Sequence, residues 1–178
     1  MVTAVLGGTF AAIVVQRLLE LRVAKRNEAW ARARGAREVG AAHYPAFFVL
    51  HTGWLLAWPL EGWLRGPALA PGWWAWLAAL VTAQVLRYWA IRTLGPRWNT
   101  RILVLPGHAP IERGPYRYLR HPNYVAVCIE LAAVPLVFGA WSTAAIASVL
   151  NAALLLGVRI PAETRALAWA REVPTTTP

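Results

Sequence analysis

The chain has 178 residues, of which 58% are hydrophobic and 15% charged, and it contains eleven tryptophans. This composition excludes an ordinary soluble globule and predicts one integral-membrane domain over residues 1–178, because apolar runs of about 18 or more residues are typical of membrane-spanning helices. The net charge of +10 does not indicate a nucleic-acid-binding protein, since no motif for that function accompanies the charge.

The first apolar segment, residues 2–21, is predicted to be a retained membrane span, because it lacks the basic leader and the cleavage site of a signal peptide. Near its end, Arg17 and Glu20 share one helix face, either as an interfacial ion pair or as groups facing a polar cavity. The basic, alanine-rich residues 22–42 are predicted to form an amphipathic helix on the membrane surface.

The second span is predicted over residues 45–62, and it contains His51. A histidine within a span suggests a functional site, although its ring could equally bond a neighbouring backbone carbonyl. The third span is predicted over residues 73–94, since tryptophans mark its start and a Gly-Pro pair ends it. A polar segment follows at residues 95–121 and includes a β-prone run at 102–105.

Residues 123–158 are too long for one span, because they would form about 54 Å of helix against a hydrocarbon core of about 30 Å. The sequence therefore predicts a helical hairpin with spans over 122–140 and 142–158. The Gly-Ala-Trp-Ser stretch at 139–142 supplies the break, and Ser142 is predicted to cap the second helix.

Three further expectations concern the C-terminal part of the chain. Pro135 is predicted to kink the first arm of the hairpin. Cys128 is predicted to be a buried, inert thiol, because it has neither a disulfide partner nor metal-ligating neighbours. The tail begins at residue 159, and residues 174–178 are predicted to be disordered.

The basic residues alternate between the two sides of the predicted helices. They cluster after the first span, after the third span and in the tail (Arg22, Lys25, Arg26, Arg32, Arg34 and Arg37; Arg97, Arg101, Arg113, Arg117 and Arg120; Arg159, Arg165 and Arg171). Only Arg65 lies between the second and third spans. The pattern predicts an all-α bundle of about five transmembrane helices with its N-terminus outside and its C-terminus in the cytoplasm.

The segment from Arg113 to Tyr124 holds three arginines, three tyrosines, two prolines and a histidine. Arginine and tyrosine would also suit a cationic anchor at the membrane edge. The density of polar and ring-bearing groups favours a pocket for a polar cofactor with a ring system.

Residues 114–124 read Gly-Pro-Tyr-x-x-x-Arg-His-Pro-x-Tyr, which resembles the signature of the isoprenylcysteine carboxyl methyltransferase and phospholipid methyltransferase group. These are membrane enzymes that use S-adenosylmethionine. Residues 159–167 are similar to the family's second element, Arg-Ile-x-x-Glu-Glu-x-x-Leu, with Thr164 in place of the second glutamate. The resemblance implies a cofactor site formed by Gly114, Tyr116, Leu119, Arg120, His121, Tyr124 and Glu163.

Shorter stretches within 17–28, 38–45 and 98–101 resemble a small bacterial branch often described as methylating alkylpyrones or related phenolic lipids made by type III polyketide synthases. This resemblance implies O-methylation of a lipid hydroxyl in the bacterial inner membrane, with a lipid-like acceptor and membrane lipids as partners. The residues expected to bind the acceptor are Arg17, Glu20, His43 and Asn99. The candidates for catalysis are His51, His108, Glu130 and Arg101.

Several alternatives stay open at this point. Glu130 is expected to face a cavity or a partner such as Arg17 or Arg101, or else to make a structural buried hydrogen bond. Glu163 could instead pair with Arg159 or Arg165 on its own helix. The acceptor could be a prenylated cysteine or a phospholipid amine, and a non-catalytic membrane protein could retain the same fold. The sequence shows no metal-ligand cluster and leaves the oligomeric state open.

Overall fold

The computed structural model describes residues 1–173 as a bundle of helices with one short β-ribbon. The helices are α1 (Val2–Arg32), α2 (Tyr44–Leu64), α3 (Trp73–Leu94), α4 (Pro122–Val137), α5 (Trp141–Leu154) and α6 (Ile160–Glu172). The strands β1 (Arg37–Val39) and β2 (Ile102–Val104) pair antiparallel. Short turns of 3₁₀-helix cover Ala41–His43, Gly95–Arg97 and Gly114–Arg117, and a π turn covers Leu155–Arg159. The predicted all-α class is confirmed, while the disorder predicted for 174–178 lies outside the described residues.

The predicted surface helix over residues 22–42 is wrong. Helix α1 continues without a break to Arg32, and the chain then turns into β1. The partner strand β2 lies within the β-prone run predicted at 102–105. Asn27 is buried near the end of α1, where its amide donates a hydrogen bond of 2.8 Å to the carbonyl of Trp98. The segment after α3 therefore covers Asn27, while Arg22, Lys25 and Arg26 stay exposed.

Aromatic side chains form the centre of the bundle. Trp58 is fully buried and stacks on Phe138, with 5.4 Å between the ring centroids. Trp54 is also buried, and its indole N–H donates to the carbonyl of Leu131 at 3.0 Å. Such large rings bury much apolar surface, so they fix how α2 packs against α4.

The outer faces of the helices carry large apolar side chains that the protein itself does not cover. They include Leu18, Leu19, Phe48, Val49, Leu56, Leu60, Val81, Val85, Ile146, Val149, Leu150 and Leu156. Two helical runs, Val2–Arg32 and Trp141–Glu172, are long and apolar enough to cross a membrane. Such a surface suits lipid, because in water it would be a large exposed apolar patch. The five crossings and their orientation stay predictions.

The hairpin between α4 and α5 turns at Gly139, whose φ of +69° suits a residue without a side chain. Ser142 does not cap α5, so that prediction is wrong. The carboxylate of Glu61, at the end of α2, accepts hydrogen bonds from the backbone N–H groups of Ser142 at 3.1 Å and Thr143 at 2.8 Å. The Glu61 carboxylate of α2 therefore caps the start of α5, where the sequence predicted a cap by the Ser142 hydroxyl.

Two other expectations for this region concern Pro135, whose predicted kink stays a prediction, and Cys128, whose predicted burial is wrong. Pro135 lies in the last turn of α4, and its carbonyl accepts the N–H groups of Phe138 and Ala140 that close the hairpin. Cys128 is exposed, not buried, because it points outward from α4, where the amide of Asn151 donates to its sulfur at 3.3 Å.

Candidate functional site

A cavity of about 770 Å³ opens between the polar segment after α3, the start of α4 and one face of α6. Five of the seven predicted cofactor residues line it: Tyr116, Arg120, His121, Tyr124 and Glu163. We call this space the donor cavity. His108, predicted as catalytic, also lies on it, with its Nδ1 3.0 Å from the carbonyl oxygen of Pro106. Gly114 and Leu119 lie outside the lining.

Glu163 provides the carboxylate of the donor cavity. Its Oε2 accepts a hydrogen bond from the Tyr124 hydroxyl and lies 3.7 Å from Nδ1 of His121. The His121 and Tyr124 rings stack with their centroids 5.2 Å apart. The alternative pairing of Glu163 with Arg159 or Arg165 is wrong, because the carboxylate forms no salt bridge with either arginine within residues 1–173 and bonds the Tyr124 hydroxyl instead.

Gly114 shapes the cavity from outside. Its φ is +57°, and a Cβ added there would lie 2.5 Å from Oγ1 of Thr93, so only glycine fits. This turn lets the 3₁₀ turn carry Tyr116 into the lining. Burial and the nearby Glu163 carboxylate raise the pKa of Tyr116, so its phenol stays protonated at neutral pH.

A second cavity of about 310 Å³ lies among α1, α2, the start of α4 and the end of α5. Its wall is mostly apolar, and exposed Leu18, Leu21 and Phe48 lie on both the wall and the outer surface. Such an opening faces the surface that suits lipid, and we call the space the acceptor cavity. The predicted residues on its wall are Arg17, Glu20, His51 and Asn99.

His43 lies outside the acceptor cavity, edge-on to the Phe47 ring with 6.1 Å between centroids. Burial and the charge of Arg159 lower the pKa of His43, so its ring is neutral at pH 7. Arg101 lines neither cavity. Its guanidinium lies over the Tyr44 ring at 4.3 Å and pairs with Glu38 at 2.5 Å.

The two cavities share a wall. Four residues line both of them: Trp98, Asn99, Asn123 and Tyr124. The indole Nε1 of Trp98 and the Oδ1 of Asn123 are buried, and neither has a hydrogen-bond partner within residues 1–173. Buried polar atoms are rarely left without partners. Trp98 and Asn123 thus bring an unpaired donor and an unpaired acceptor to the shared wall.

Beside the acceptor cavity lies a buried charge cluster made of two arginines and two glutamates. Arg17 bonds both Glu20, at 2.5 Å, and Glu130. Arg87 is 2% exposed, and it also contacts both carboxylates. The expected Arg17 partner of Glu130 is confirmed, whereas Arg101 is not a partner. The Glu130 carboxylate pairs with both Arg17 and Arg87, and Glu130 lines neither cavity. This geometry is that of a structural ion pair.

The family model of the isoprenylcysteine carboxyl methyltransferases (ICMT) matches residues 76–169, more than half of the chain. The chain belongs to this family. Membership indicates a membrane methyltransferase. The matched region runs from α3 to α6, so it contains most of the donor-cavity lining and both signature pieces. The α1 and α2 walls of the acceptor cavity lie outside it.

Two relatives extend the similarity over most of the ICMT-family chain. It is 40% identical to the uncharacterized protein YpbQ of Bacillus subtilis (strain 168) over 158 residues, which cover 88% of this chain and 93% of the relative. It is 29% identical to an uncharacterized protein of Haemophilus influenzae (strain ATCC 51907 / DSM 11121 / KW20 / Rd), covering 89% and 92% of the two chains. No solved structure matches the chain.

Sequence reasoning missed four residues that the fold brings to this ICMT-family site. Arg87 lies within the third predicted span, and Trp98 lies within one of the short stretches of resemblance. Asn123 and Arg159 lay inside the two signature pieces but received no role. The signature itself was the available signal, because Asn123 directly precedes Tyr124 and Arg159 lies about one helical turn before Glu163.

Proposed function

We propose that the protein is an S-adenosylmethionine-dependent O-methyltransferase that acts on a hydroxyl of an alkylpyrone- or alkylresorcinol-type lipid. The observation that carries this proposal is the wall shared by the two cavities. Its unpaired Trp98 indole N–H and Asn123 carbonyl can position two different ligands against one another. Holding two reactants in line supplies much of the rate enhancement of a transfer reaction.

The groups of the donor cavity fit S-adenosylmethionine. When bound, this cofactor supplies a methyl group on a positively charged sulfur. The Glu163 carboxylate suits its ammonium group, and the Arg120 guanidinium suits its carboxylate. The rings of Tyr116, His121 and Tyr124 offer the aromatic faces that favour a cation or an adenine.

The acceptor cavity fits a molecule with a small polar head and an apolar chain. Its opening between Leu18, Leu21 and Phe48 lets a chain stay in the surrounding lipid. The head would reach Asn99, whose side chain is held by a 2.9 Å bond to the carbonyl of Ala24 and a 3.0 Å bond from the N–H of Arg101. Because both the nitrogen and the oxygen of its amide are already bonded, the Asn99 side chain would lose little further conformational entropy when it binds a substrate.

The basic segments support a proposed orientation. Four arginines line the donor cavity: Arg97, Arg117, Arg120 and Arg171. Positive residues favour the cytoplasmic side, where S-adenosylmethionine is made available. We therefore place the donor cavity at the cytoplasmic face of a bacterial inner membrane, with the N-terminus of a five-span bundle outside.

Two measurements on the purified protein in detergent test the proposal. Calorimetry with S-adenosylmethionine is expected to show one binding site, and absence of binding would remove the cofactor assignment. Methyl transfer is then assayed on a 6-alkyl-4-hydroxy-2-pyrone, a 5-alkylresorcinol, a prenylated cysteine and phosphatidylethanolamine. Transfer to the last two but not to the first two would replace the proposed acceptor.

A further inference from the structure

Arg159 is a buried arginine without an acidic partner. It is 7% exposed, yet it forms no salt bridge with any carboxylate of residues 1–173. The half-buried Arg17 and the buried Arg87 differ, because each contacts both Glu20 and Glu130. Those two pairs of charges balance, so Arg159 is the excess positive charge on the wall of the acceptor cavity.

The contacts of Arg159 fix where its charge lies. Its Nε donates to the Tyr124 hydroxyl at 2.8 Å, and one Nη donates to the carbonyl of Thr100 at 2.7 Å. The guanidinium carbon lies 5.3 Å from the Phe47 ring centroid. Tyr124 belongs to the shared wall, so the charge lies where the acceptor cavity meets the donor cavity. Arg159 also ends the π turn between α5 and α6, a local geometry that is frequent at functional sites.

Burying a guanidinium without a counter-ion is costly unless an anion completes the site. The other Nη of Arg159 donates no hydrogen bond within residues 1–173. The side chain lines the acceptor cavity and not the donor cavity. The Tyr124 hydroxyl, which accepts a hydrogen bond from Arg159, donates one to Glu163. The Glu163 carboxylate lies beyond this hydroxyl and faces the donor cavity. The anion that balances Arg159 must therefore enter through the acceptor cavity.

We infer that Arg159 binds the acceptor oxygen in its ionised form, so that the acceptor class is an acidic hydroxyl on an apolar chain. This inference rests on the proposed function. The acceptor loses its proton to water when it ionises. Its oxygen then forms the new bond to the methyl carbon while the methyl–sulfur bond breaks, and that electron pair stays on sulfur. An opposite charge beside a hydroxyl lowers its pKa by about 1–3 units, so no general base is required. A cationic ammonium acceptor would be repelled.

The first test uses the wild-type protein and does not depend on catalysis. A 6-alkyl-4-hydroxy-2-pyrone is bound in the presence of S-adenosylhomocysteine, and its ultraviolet spectrum, which differs between the neutral and ionised forms, is followed against pH. The same pyrone in detergent micelles is the reference. We expect the bound pyrone to ionise at a pH about 1–3 units lower than in micelles. The inference is overturned if the bound pyrone ionises at the same pH as in micelles or at a higher one. It is also overturned if S-adenosylhomocysteine binds and the pyrone does not. Both results leave the cofactor assignment intact.

The second test compares Arg159→Gln, Arg159→Lys and a control, Arg165→Gln, which removes an exposed arginine that lines neither cavity. In Arg159→Gln the pH midpoint of kcat/KM for a 5-alkylresorcinol should rise by about 1–3 units, with partial restoration by lysine and no shift in the control. Calorimetry with S-adenosylhomocysteine separates a positioning role. If Arg159→Gln binds S-adenosylhomocysteine more weakly and its pH profile is unshifted, Arg159 only holds Tyr124 in place. That result would overturn the inference.

Discussion

Nδ1 of His121 lies 3.7 Å from Oε2 of Glu163, although one residue precedes α4 and the other lies in α6. The α4–α5 hairpin returns the chain to the side from which it started, so the two signature pieces face one cavity. A single donor can therefore contact both of them. Had the two side chains lain on opposite faces of the bundle, the proposed cofactor site would not exist.

Glu163→Gln is expected to weaken S-adenosylmethionine binding by about 10- to 100-fold, because the variant loses a charged partner for the ammonium group. Calorimetry in detergent measures the affinity, and circular dichroism checks the fold. The control is Glu172→Gln, the same change at an exposed position of α6 that lines neither cavity. Equal affinities in the two variants would show that Glu163 does not hold the cofactor.

Val127→Phe should separate the two cavities. Val127 lines the acceptor cavity and not the donor cavity, so a larger side chain fills acceptor space only. We expect methyl transfer to a pyrone or resorcinol to fall at least about tenfold through displaced acceptor geometry, with unchanged S-adenosylmethionine affinity. Val125→Phe, on the exposed face of α4, is the matched control. A loss of cofactor affinity in Val127→Phe would contradict the assignment of two separate spaces.

Glu130→Gln is expected to destabilise the bundle by about 3–5 kcal/mol, because Arg17 and Arg87 would keep their buried charges with only one carboxylate between them. Thermal unfolding in detergent measures the effect. Glu28→Gln removes partly exposed pairings with Arg32 and Arg101 and should lower the unfolding temperature much less. If both variants unfold at the same temperature, the cluster is not the structural centre that its geometry indicates.

Stability of the strand pair should depend on pH through Glu38. Burial works in the opposite direction, but hydrogen bonds from Arg101 and Arg32 outweigh it and lower the pKa of Glu38. A lowered pKa means that the ionised Glu38 stabilises the fold at neutral pH. This contribution starts to fall below pH of about 4.3, the ordinary glutamate pKa, and is lost as the pH passes through the lower pKa of the folded state.

The measurement is the difference in unfolding temperature between wild type and Glu38→Gln from pH 7 to pH 3. We expect wild type to be more stable at pH 7 by at most about 1 kcal/mol, since the pairs are partly exposed, and the difference to vanish in acid. A difference that grows on acidification would have the wrong sign for this account.

The comparison between sequence and structure is most informative where the two disagree. The limits of α3, the break at Gly139 and the strand near 102–105 follow from local patterns, and the structure has all three. The surface helix over 22–42 and the Ser142 cap failed because both depended on what another part of the chain covers. Asn27 is buried by the segment after α3, and Glu61 reaches α5 from the end of α2.

By itself the sequence determined the helical class, the hairpin and the two signature pieces that indicate a methyl donor, because apolar run length, turn residues and motif spacing act within short stretches. Tertiary structure alone decided which charges pair and which do not. Arg17 and Arg87 each contact two carboxylates, while Arg159 contacts none among residues 1–173. That outcome depends on how α1, α3, α4 and α6 pack, since an ion pair is set by distances between helices and not by spacing along one of them.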